Sequence, residues 1–207
     1  MNRTMYCLAA LTLGVASLAS LGCPKKAEKD KGEQASAVRA SVRDGVLSAH
    51  HDKCVELFVK TSGFGLGRMM VLTHDSPSYP KSLDLPSQED GVDEAGEPLG
   101  VRPVTWVMDK VELVSLLNDK TEGVYSAEGM RKDFLRMKKR DFDSFEASSL
   151  PQLRAGEALR VQELPGEVRV LGAIRARADC KTCHAKHEVG SLLGAFTYVY
   201  KPAVPTP

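Results

Sequence analysis

Apolar positions divide the chain into an uncharged leader, a charged stretch, and a body where helical and strand periods follow one another. Leu8 to Leu21 is small and apolar, but falls short of the roughly 20 residues a bilayer-spanning helix needs. Pro24 to Gln34 alternates Lys, Glu and Asp, contains nothing apolar larger than Ala27, and reads as a solvated tether. From Ala35 to about Lys60, Val38, Val42, Val46, Leu47, His51, Cys54, Val55 and Phe58 recur at three- and four-residue spacing, which predicts an amphipathic helix. Thr61 to Gly67 stops it, because its glycines favour backbone angles outside the helix.

Residues 73–103 are rich in Pro, Asp, Ser and Gly and read as a long irregular loop. Val104 to Leu117 and Gly123 to Tyr125 read as short strands, with a helix an equal reading for Val111 to Leu117. Asp141 is placed to N-cap a helix carrying Phe142, Phe145 and Leu150, which Pro151 breaks or kinks. Leu159 to Arg175 predicts a hairpin turning at Leu164-Pro165-Gly166-Glu167. Leu192 to Lys201 alternates Phe196, Tyr198 and Tyr200 against Ala195, Thr197 and Val199, a β-strand. The fold class is α+β, and 43% hydrophobic content is enough for one core, hence one domain.

The leader has the form of a signal peptide: Arg3 ahead of the apolar run, then Ser20-Leu21-Gly22-Cys23, which resembles the lipobox of bacterial lipoproteins. The usual Leu three places before the cysteine is Ser20 here, so cleavage after Ala19 is the competing expectation. The expected organisation is 1–22 signal peptide, 23–35 tether and 36–207 domain, with a lipid on Cys23 anchoring the protein to a membrane of the cell envelope. Losing 1–22 removes one base, Arg3, and no acid, so the 28 bases become 27 against 27 acids. That balance argues against a nucleic-acid partner.

Cys180-Lys181-Thr182-Cys183-His184 is a C-x-x-C-H pattern, the attachment site of a covalent c-type haem. Two thiols at this spacing add across the haem vinyl groups, and the adjacent imidazole reaches the iron. With five Cys and five His in the chain, shuffling would produce the pattern about 0.003 times. The cysteine inventory agrees: Cys7 leaves with the leader, Cys23 takes lipid, Cys180 and Cys183 take haem, and Cys54 alone remains. A structural zinc held by Cys180, Cys183, His184 and His187 would draw all its ligands from eight residues, too cramped for the usual separated pairs.

Position separates the motif from small class I cytochromes c, which attach haem near the N-terminus and take a methionine from downstream; here the last methionine is Met137. The run Glu167 to Ala176, the motif itself, and Gly190-Ser191-Leu192-Leu193-Gly194-Ala195-Phe196-Thr197-Tyr198 together resemble a family of PAS-like single-haem domains of bacterial periplasmic proteins and lipoproteins. The resemblance covers about 90 residues, Asp109 to Lys201. It implies a mixed antiparallel sheet flanked by helices, with one haem c on Cys180 and Cys183 and His184 as proximal iron ligand.

Any sixth iron ligand must come from upstream, with His50, His51, Cys54 and Met69 the candidates and a five-coordinate iron the alternative. Imidazole gives a low-spin centre suited to electron transfer, thiolate lowers the potential, and an open position binds small gases. Arg68, Arg175 and Arg177 are candidate partners of haem propionates. No Ser-His-Asp set, phosphate loop or carboxylate pair is discernible, so the chain reads as non-enzymatic. One-electron transfer to a redox partner protein is the first functional expectation, and a redox or gas sensor acting through a partner is the second.

Overall fold

The computed structural model describes residues 26–63, 65–72, 79, 81–86, 103–117, 122–126 and 139–203, with side chains excepted for 26–35, 65 and 66. The expected signal peptide (1–22), Cys23 and most of the expected 73–103 loop lie outside the described residues. Helix α1 (Lys26–Lys60) leads into a 3₁₀ segment (Gly65–Leu72). Then come β1 (Ser82–Pro86), β2 (Pro103–Ser115), β3 (Gly123–Ser126), β4 (Lys139–Arg140), α2 (Ser144–Arg154), β5 (Leu159–Leu164), β6 (Glu167–Arg175), a 3₁₀ turn (Ala178–Thr182) and β7 (Leu192–Pro202).

The strands form one seven-stranded sheet in the order β4-β3-β2-β7-β6-β5, with β1 pairing the N-terminal half of β2. Every pairing is antiparallel. The last strand is therefore central: β7 lies between β2, where Leu113 faces Phe196, and β6, where Val170 faces Tyr198. Alternation along β7 feeds two cores. Phe196, Tyr198 and Tyr200 pack with Leu47, Cys54, Val55 and Phe58 of α1. Ala195 packs on the other face with Phe145, Leu150 and Leu153 of α2.

Three elements differ from expectation. Helix α1 begins at Lys26, so the expected tether is helical from there; Lys, Glu, Ala and Gln are good helix formers even without an apolar stripe. Strand β1 lies inside the expected loop, its Leu83 and Leu85 buried and its Ser82 and Asp84 exposed. The N-cap of α2 is Asp143, not Asp141: its side chain accepts from the Glu146 amide and the Glu146 carboxylate accepts from the Asp143 amide. Pro151 is accommodated within that helix. The hairpin turns where predicted, with Gly166 at φ 71°, a left-handed conformation that favours glycine. Among the described residues no helix is long and apolar enough to cross a membrane.

Candidate functional site

Where β2 ends, β6 ends and β7 begins, one end of the sheet opens onto a cavity of about 290 Å³. The last turns of α1 supply Phe58 and Val59, β2 supplies Leu113 and β6 and β7 supply Ile174 and Leu193. These walls are apolar. Gly63 and Arg68, from the turn after α1, complete one side. The motif and the residue before it also contribute: Asp179, Cys180, Cys183 and His184 all line the cavity.

Local hydrogen bonding explains why those side chains converge. The Cys180 amide donates to Arg177 O at 3.0 Å, and the amides of Cys183 and His184 both donate to Cys180 O, at 3.2 and 2.8 Å. The backbone thus makes one tight turn across the C-x-x-C spacing, which brings residues 180, 183 and 184 to one side. Both cysteines are free thiols, Cys180 half-buried and Cys183 exposed. The His184 ring stands 6.1 Å from the His187 ring, edge to face. Partial burial, and after it the charges of His187 and Arg68, hold the His184 imidazole below its ordinary pKa, in the neutral form with a free lone pair. Two thiols and an imidazole donor therefore face an apolar volume from one turn of chain.

The other sequence-predicted site residues go elsewhere. His51 Nδ1 is 2.8 Å from the Tyr198 hydroxyl and its Nε2 3.0 Å from Ala173 O. His50 Nδ1 is 2.9 Å from the Tyr200 hydroxyl. Cys54, with no exposed surface, has its sulfur 3.5 Å from the Tyr79 hydroxyl and 3.7 Å from His50 Nδ1, and burial pushes its thiol up to about 11. Met69 is fully buried in the core beneath α1. None of the four lines the cavity. The reason is that buried polar groups must find partners, and the tyrosines of β7 and Tyr79 supply them.

Of the three arginines, only Arg68 reaches the cavity, with its Nε donating to Gly63 O at 3.0 Å and its guanidinium 5.9 Å above the Phe58 ring. Arg175 is committed to three carbonyls: Leu153 O at 2.6 Å, Glu157 O at 3.2 Å and Gly190 O at 3.3 Å. Arg177 sits in a polar surface depression with Asp52, Lys53 and Glu56. Sequence reasoning gave Ile174 and Leu193 only as strand positions and Leu113 as strand or helix, since nothing in an alternating pattern says which strand end is left uncovered. Among the described residues, no group of three or more His, Cys, Asp and Glu side chains is placed to hold a metal ion by itself. Comparison with protein-family models, with the curated proteins and with the solved structures finds no match for this chain.

Proposed function

We propose that this chain is a c-type haem protein of the cell envelope, anchored through a lipid on Cys23, which passes single electrons to a redox partner protein. The observation that carries the reading is the convergence of Cys180, Cys183 and His184 on one wall of an apolar cavity. The donor set suits the group: two free thiols for thioether bonds, one neutral imidazole for the proximal position, and apolar walls for the macrocycle. A PAS-like domain with this attachment is the family assignment we favour. When bound, the haem would supply one reversible Fe(III)/Fe(II) couple. The chain's own part is to fix the proximal imidazole, exclude water along Phe58, Val59, Leu113 and Leu193, and offer Arg68 to a propionate.

The test is expression of the chain with haem-maturation machinery, beside Cys180→Ala/Cys183→Ala. Haem that stays with the wild-type chain through a denaturing gel, and is missing from the variant, supports the proposal; folded wild-type protein without haem overturns it. A reversible midpoint potential in spectroelectrochemistry supports electron transfer. The second reading is small-ligand binding at the iron. It is favoured by the lining: among the described residues outside the motif, none that faces the cavity carries an imidazole, thiol or thioether. Rapid CO binding to the ferrous protein would select this reading over the first.

A further inference from the structure

The most unusual cluster outside the cavity is the set of oxidisable side chains sealed between α1 and the sheet. Tyr198, Tyr200, Tyr79, His50, His51, Cys54 and Met108 are all buried. The Tyr198 and Tyr200 rings stack at 5.9 Å, His50 stands edge-on to Tyr200 at 5.7 Å and to Tyr79 at 5.5 Å, and the Tyr79 hydroxyl donates to the Met108 sulfur. An apolar core would fill this volume at lower desolvation cost. The cluster also reaches the cavity: Phe58 in its wall contacts Phe196 at 5.2 Å between ring centres, and Phe196 contacts Tyr198 at 6.0 Å.

Within it, one pair has a defined proton geometry. Ala173 O can only accept, so His51 must carry its proton on Nε2, 3.0 Å away. The neutral ring then has its lone pair on Nδ1, so the Tyr198 hydroxyl, 2.8 Å off, is the donor. Burial keeps His51 below its ordinary pKa and hence neutral, and raises Tyr198 well above the usual phenol range. Tyr198 has no exposed surface, so bulk solvent does not reach its hydroxyl.

We infer that Tyr198 and His51 form a proton-coupled redox pair able to hold one oxidising equivalent in the protein interior. Tyr198 gives one electron to a strong one-electron oxidant, and its hydroxyl proton crosses to His51 Nδ1. The products are a neutral phenoxyl radical and an imidazolium whose Nε2–H still rests on Ala173 O. Re-reduction returns both. The charge of the site changes by one, the charge of the phenol by none, which is what makes loss of an electron from a buried tyrosine feasible. Phe58 and Phe196, far harder to oxidise, shorten the path from the cavity without holding charge. The pair stands whether or not the cavity carries haem; the proposed haem would only identify where its oxidant binds.

The experiment is photo-oxidation of the full chain by tris(bipyridyl)ruthenium(III), generated with a cobalt(III) electron acceptor. It is read by electron paramagnetic resonance and transient absorption, on wild type and on Cys180→Ala/Cys183→Ala. A tyrosyl signal in both, lost in Tyr198→Phe and kept in Tyr200→Phe, is the expected result. Its formation should be slower in D₂O than in H₂O, and about 100-fold slower in folded His51→Gln, the usual scale of removing a positioned base. The D₂O comparison needs no variant and covers the case in which His51→Gln fails to fold. A wild-type chain with no tyrosyl signal, a signal unchanged in Tyr198→Phe, or equal rates in the two solvents would overturn the pair. Loss of haem in the cysteine variant with the tyrosyl signal intact separates this question from that of the cofactor.

Discussion

At Gly194 and Gly172 the strands leave no room for a methyl group. A Cβ at Gly194 would lie 2.4 Å from Val114 O, a backbone atom that cannot swing away. Gly194→Ala should force β2 from β7 and cost about 3 kcal/mol, the upper end for overpacking, read as a lower urea midpoint. A Cβ at Gly172 would lie 2.4 Å from His51 Nδ1, so the glycine is what leaves room for the imidazole against β6. His51 also sets a pH limit. Its folded pKa lies below the unfolded value of about 6.5, so the unfolded chain binds the extra proton first. The stabilising contribution is complete above pH 6.5 and is lost as pH falls below it. Urea unfolding of wild type at pH 7.5 and 5.5 should show the loss, and His51→Gln should remove that part of it. The Cys180, Cys183, His184 set stood out in the sequence because C-x-x-C-H rarely arises by chance, and the structure brings all three to the cavity. The roles of His50 and His51 did not: spacing along α1 shows that they share a side with Cys54, but their tyrosine partners are on β7 and Ala173 is on β6, far off in sequence.

At the level of elements, α2 is the one whose terminus is best defined. Asp143 caps the helix and receives an Arg169 ion pair at 2.5 Å, while Arg169 lies 4.9 Å over the Phe145 ring. Asp143→Ala should lower stability by about 1 to 2 kcal/mol, the scale of a lost N-cap, with the deficit visible in thermal unfolding at pH 7. Burial raises the Asp143 carboxyl, but the Glu146 amide and Arg169 outweigh it and hold it below the ordinary range. A depressed carboxylate stabilises above its unfolded pKa, so the difference between variant and wild type should shrink as pH falls below about 3.9. The sequence reading placed the cap at Asp141, two residues upstream; Glu146 three residues beyond Asp143 was the sign that would have corrected it. The hairpin β5–β6 was legible because Pro-Gly between two alternating runs permits little else. Strand β1 was hidden by its setting: Leu83 and Leu85 make only a two-residue apolar alternation within a stretch of turn-forming residues.

For the molecule as a whole, the position of β7 is decisive. It joins the β2–β3–β4 half of the sheet to the β5–β6 half, and it contributes the largest buried rings, Phe196, Tyr198 and Tyr200. A chain ending at Gly190 keeps the whole Cys180–His184 motif but loses that joint. It should show no cooperative thermal transition by circular dichroism, whereas removal of residues 204–207 should leave the transition in place. The α+β class was readable from the order of periods, but the strand order was not. A final strand can add to an edge or insert in the middle with the same alternation, and only the burial of both of its faces distinguishes the outcomes.

Because β6 and β7 are neighbours, residues 176–191 are the turn of a hairpin at the middle of the sheet, closed at its stem by Ala176 bonded to both Gly190 and Ser191. The two thiols and the imidazole thus belong to an appendage that no other strand threads. A short glycine-containing turn spliced between Arg175 and Leu192 would leave every strand pairing available while deleting the reactive groups in one piece. The sheet and the loop that carries Cys180, Cys183 and His184 meet at two joints, and a different loop sequence could be installed there with the strand pairing kept.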